Sequence, residues 1–80
     1  MNKENFGIYR EALNILIDHF GDRLKNLNHQ KSTVWSAKYK DEKWQFVTFF
    51  CQIDNDIKYV NVFTDTGAVD EGNTLFTVEK

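Results

Sequence analysis

The chain has 80 residues, one cysteine, no proline and a formal charge of −2, and 15% of its residues are aromatic. One cysteine excludes an intrachain disulfide, and this length lies near the lower limit for an unstapled core, so stability must come from packing or association. The charge balance argues against duplex binding driven by phosphate neutralisation, and no apolar run approaches the roughly 18 residues of a membrane span.

Residues 1–7 lack the apolar centre of a secretory signal, which leads us to expect a cytoplasmic protein. Eight Asn, eight Lys and no Pro fit an AT-rich coding sequence, as in many low-GC bacteria and their phages.

From Asn5 to Phe20 the residues Phe6, Tyr9, Leu13, Leu16 and Phe20 recur at steps of three and four, with Ala12 and Ile17 widening the stripe. This spacing predicts an amphipathic helix. Asn2 or Asn5 would cap its start, and Gly21 stands where a C′ glycine belongs. Leu24 and Leu27 continue the stripe, so a weaker helical extension to about Asn28 is expected, boundaries being good to about 2–4 residues. Ile8 and Ile15 lie well off the centre of the main stripe. They read either as a narrow secondary interface or as side chains tucked under the chain's own loops.

Residues 28–32 read as a polar linker, and Thr33–Lys40 alternates as a strand. A tight connection at Asp41-Glu42 leads into Lys43–Ile53, which is apolar on both alternating faces and reads as the central strand. In that register Tyr39 opposes Trp44, Ala37 opposes Phe46 and Trp35 opposes Thr48. Asp54-Asn55-Asp56 supplies turn chemistry before a strand at Ile57–Thr64. With Asn55-Asp56 as the loop, Val60 opposes Cys51 and Val62 opposes Phe49. Residues 65–73 read as a long acidic loop, and Thr74–Glu79 as a short edge strand.

The expected fold is α+β: one N-terminal helix packed on a four-stranded antiparallel β-meander, α-β-β-β-β, in a single domain over residues 1–80. One sheet face collects Val34, Val47, Phe49, Cys51, Ile53, Val60 and Val62. The other collects Trp35, Tyr39, Trp44, Phe46, Phe50, Tyr59 and Phe63. Aliphatic side chains of even size pack a helix closely, so the helix is assigned to the first face. One helix cannot cover both.

No constellation of residues meets the geometric roles of an active site, so no enzyme is expected. Asp18 and Asp22 flank His19 at helical spacing, but a solvated helix edge accounts for them. Cys51 reads as a buried small hydrophobe. Asp65, Asp70 and Glu71 lack the spacing of a calcium loop. No metal or cofactor is expected.

The reading that follows is a small protein-binding module, an inhibitor or adaptor such as a phage-encoded inhibitor of a host defence protein, with a homodimer as one form. Its anchors would be Trp35, Tyr39, Trp44, Phe46, Tyr59 and Phe63, or an exposed strand edge. The alternative is a single-stranded nucleic acid or small ligand stacked on the same rings. Against it, Lys38, Lys40 and Lys58 point to the opposite face.

Overall fold

The computed structural model describes residues 3–39 and 42–79, with side chains described for residues 7–35 and 45–79. Helix α1 spans Lys3–Phe20, a single 3-10 turn follows at Gly21–Arg23, and four strands complete the chain: β1 Leu24–Tyr39, β2 Glu42–Ile53, β3 Asp56–Phe63 and β4 Val69–Thr77. They form one antiparallel sheet in the order β1-β2-β3-β4. The expected α-β-β-β-β meander is therefore the observed fold, with β4 at an edge.

Tyr9, Ala12, Leu16 and Phe20 of α1 are buried against Val47, Phe49, Cys51 and Ile53 of β2 and Val60 and Val62 of β3. Val34 packs at the margin of this core. The helix thus covers the aliphatic face, as expected. Ile17 instead stays 46% exposed and does not widen the buried stripe, whereas Ile8 and Ile15 are partly buried against the core. Asn5 lies inside the helix and so does not cap it; Asn2 falls outside the described residues.

Gly21 ends the helix at φ 56, a left-handed conformation that glycine adopts without steric cost. The chain then turns into a strand, and the expected helical extension to Asn28 does not form. Leu24 pairs with Ile53 and Leu27 with Cys51, with a register shift between Leu24 and Asn26. The shift breaks the two-residue period, so both leucines pack against the core at a spacing of three. That spacing imitates a helix in sequence.

The polar stretch 28–32 is likewise part of β1, as a bulge between the pairs Asn28–Phe50 and Thr33–Thr48. Asn28 Oδ1 accepts hydrogen bonds from the backbone N–H groups of Gln30 and Lys31 at 3.0 and 3.1 Å. Buried Ser32 donates its hydroxyl to the Asn28 carbonyl at 2.8 Å. The bulge is closed by its own side chains.

Both hairpins are displaced by two residues from the expected register. Trp35 opposes Phe46 and Tyr39 opposes Glu42, which places Glu42 inside β2; Asp41 lies outside the described residues. In the second hairpin Phe49 opposes Val60 and Cys51 opposes Lys58, and the loop is Asp54-Asn55 with Asp54 at φ 56. A slip of two leaves every side chain on its assigned face.

The long loop at 65–73 is also shorter than expected. Gly67 N–H donates to the Phe63 carbonyl at 2.8 Å and Phe63 N–H to the Ala68 carbonyl at 2.9 Å, so β4 begins at Val69. Asp70 and Glu71 are strand residues. At the far end of the sheet, Arg23 ties the helix terminus to the second hairpin: its carbonyl accepts from Asp54 N–H at 2.8 Å and its Nε lies 2.9 Å from Asp54 Oδ2.

Candidate functional site

The sheet face opposite α1 is built by alternation along β2 and β3. Phe46, Thr48, Phe50 and Gln52 oppose Phe63, Asn61, Tyr59 and Ile57 in direct register. Their ring contacts run across three strands: Trp35 with Phe46 at 6.3 Å and 18°, Phe46 with Phe63 at 5.3 Å, and Phe50 with Tyr59 edge to face at 5.1 Å and 65°. Between the two ring groups, Thr48 donates its hydroxyl to Asn61 Oδ1 at 2.7 Å, which leaves the row polar but satisfied.

Nothing among the described residues covers this face. Trp35 is 49% exposed, Tyr59 41% and Phe76 56%, and Phe46, Phe50 and Phe63 are half-buried by their neighbours. Such an exposed surface, two ring groups flanking one polar pair, is the kind that marks an interaction site on a small domain. Of the six anchors expected from sequence, Trp35, Phe46, Tyr59 and Phe63 share this face; the side chains of Tyr39 and Trp44 lie outside the described ones.

Four contributors, Phe76, Phe50, Lys31 and Asp70, were not among the expected anchors. Phe76 stands opposite Ile57 on β4 and extends the apolar surface to the sheet edge. Phe50 carries the Lys31 ammonium 4.7 Å from its ring centroid, because the bulge in β1 holds Lys31 over the face. Asp70, opposite Asn61, brings an acid to the β4 edge. Neither charged residue was legible as part of the face, since one was read in a linker and the other in a loop.

At one end of the face an open cleft of about 460 Å³ lies between the start of β1 and Phe50, Gln52 and Ile57. Asn26 and Asn28 border it with side-chain oxygens engaged by backbone N–H groups. The cleft continues the aromatic face.

Lys58 stands opposite Cys51 and so projects to the helix side, as expected. Its Nζ lies 3.2 Å from Glu71 Oε1, with the lysine side chain only 11% exposed. This cation is unavailable to the aromatic face. Also on the helix side, the Tyr9 hydroxyl bonds His29 Nδ1, and its ring lies 5.3 Å from Phe49. Burial raises the Tyr9 pKa, and the neighbouring Ser32 hydroxyl opposes the shift to a smaller degree.

Cys51 is buried in the core, and burial pushes its thiol up to about 11, against the attraction of Lys58. A thiol so protonated is a poor nucleophile. His19 packs edge-on against Phe20 at 4.7 Å on an exposed part of the helix. Among the described residues no three His, Cys, Asp or Glu side chains converge to hold a metal ion, and no helix is long and apolar enough to cross a membrane. No protein-family model, curated protein or solved structure matches the chain.

Proposed function

We propose that this chain is a non-catalytic binding module that docks its aromatic sheet face on another protein chain, in the manner of a small inhibitor or adaptor. One observation carries the reading: α1 occupies the aliphatic face, while Trp35, Tyr59 and Phe76 remain 49%, 41% and 56% exposed on the other. Large aromatic side chains dominate interface energetics because each removes much apolar area from water at little conformational cost. Trp35 and Tyr59 are already held by ring contacts with Phe46 and Phe50, which lowers the cost of docking further. The setting that goes with this reading, a cytoplasmic protein of bacterial or phage origin, rests on composition and size.

A second reading is favoured by one contact. Lys31 over Phe50 puts a cation beside a ring on which a base could stack, as single-strand binders require. Against it stand Lys58, turned to the helix side and paired with Glu71, and Asp70 on the face itself.

The test is capture of partners from host lysate by the wild-type chain and by the double variant Trp35→Ala with Tyr59→Ala, its fold verified by circular dichroism. A specific partner lost by the folded variant supports docking through this face. A partner retained undiminished by it would rule that face out.

A further inference from the structure

Among the side chains described, the aromatic face carries Lys31 and Asp70 near its margins, and they differ in sign. Lys31 lies at the β1 side over Phe50, and Asp70 lies at the β4 edge opposite Asn61. Val69, the neighbour of Asp70, packs against the core, so strand alternation turns Asp70 to the aromatic face. Along the strands the two charges sit in adjacent rows, one at the Phe50–Tyr59 pair and the other at the Thr48–Asn61 pair.

We infer that the occupant of this face is a second copy of the chain, stacked sheet on sheet about a two-fold axis parallel to the strands, with Lys31 of each copy beside the partner's Asp70. This rests on the reading of the aromatic face as a docking surface, and names what docks there.

The symmetry follows from the positions of the residues. A two-fold axis lying between the sheets and parallel to the strands keeps each row at its own height and exchanges the β1 and β4 sides. Lys31 at the β1 side then stands one row, about 7 Å along the strands, from Asp70 at the β4 edge of the other copy, within reach of its long side chain, twice per dimer. Phe46 comes over the partner's Phe63, and Phe50 over the partner's Tyr59. An axis across the strands would instead keep β1 over β1 and bring the two Lys31 ammonium groups together. Charge therefore selects one of the two arrangements, and a self-complementary patch is what a two-fold interface requires.

The size is sufficient. At about 4.8 Å between strands and about 3.4 Å per residue, four strands by the eight residues of β3 project to about 500 Å² per copy. Two copies reach about 1,000 Å², the lower bound for a specific interface, before side-chain relief and the longer β1–β2 arm are counted. Aligned stacking of twisted sheets is a common sandwich geometry.

The experiment is sedimentation across a wide range of concentration for the wild type, Lys31→Asp, Asp70→Lys, a mixture of those two variants, and Trp35→Ala. The wild type is expected to dimerise. Each charge variant alone sets like charges together at both pairs and weakens the dimer by more than about tenfold. Mixing the two variants restores opposite charges at both pairs, so a heterodimer recovers, which also shows that each variant is folded.

A dimer indifferent to the charge variants and to Trp35→Ala would place the contact elsewhere and overturn the two-copy arrangement, while the reading of the face is decided by the lysate capture with the Trp35→Ala, Tyr59→Ala variant. A wild-type chain that stays monomeric throughout overturns the two-copy arrangement alone. Capture of a different protein, or retardation of a single-stranded oligonucleotide, by that monomer would then identify the other occupant.

Discussion

The indole of Trp35 lies 18° from parallel with the Phe46 ring at 6.3 Å, the two residues standing directly opposite each other on β1 and β2. The stack covers one side of the indole. Even with this contact Trp35 is 49% exposed.

Replacing Trp35 by Ala is expected to cost only about 1 kcal/mol of stability, mostly the lost ring contact. Phe49→Ala, which empties a fully buried site between the helix and the sheet, should cost about 3–5 kcal/mol. Denaturant unfolding of both variants measures the difference. Equal losses would make Trp35 a core residue and remove the argument for a docking face.

Ser32 is the buried hydroxyl that closes the β1 bulge through the Asn28 carbonyl. Ser32→Ala should destabilise the fold by about 1–2 kcal/mol by orphaning that hydrogen bond, whereas the exposed neighbour Thr33→Ala should stay within about 0.5 kcal/mol. Hydrogen exchange at Gln30 and Lys31, whose N–H groups bond Asn28 Oδ1, should quicken in the Ser32 variant and hold in the other.

Gly72 passes so close to β3 that an added Cβ would lie 2.8 Å from the Tyr59 carbonyl oxygen. The obstacle is backbone, which cannot swing aside. Gly72→Ala is expected to push β4 away from β3 and cost about 1–3 kcal/mol, with loss of amide protection along β4 and little change in the helical circular dichroism signal.

Stability should fall in alkaline solution through Cys51. The unfolded thiol ionises near 9 and the folded one only at about 11, because burial disfavours the thiolate. The folded state thus holds the proton more tightly, so this contribution is complete below pH 9 and is lost as pH rises through 11. The loss is on the order of 2–3 kcal/mol. Tyr9, also raised by burial, adds a loss of the same sign at higher pH. The stability difference between wild type and Cys51→Ala should therefore shrink from pH 8.5 to pH 11; a difference that stays constant would contradict burial of the thiol.

Alternation over Lys43–Ile53 and the three-and-four spacing from Tyr9 to Phe20 were enough to predict the helix, the central strand and which residues share each sheet face. These patterns survive because each is enforced by its own element: a side chain's face follows from local period alone, and even the two-residue slips in both hairpins left it unchanged. The bulged strands were not legible. Between Leu24 and Thr33, and again within β4, extra residues break the period, and pairing with a neighbour distant in sequence holds strand geometry where no local pattern demands it.

The β1 bulge brings Lys31 to the aromatic face, and the regular pairing of Asp70 with Asn61 brings Asp70 there. The sequence by itself therefore determined that two apolar surfaces exist and that one helix must choose between them. Only the tertiary structure decided where the charges around the uncovered surface lie, because their positions depend on backbone hydrogen bonds between strands and not on any spacing along the chain.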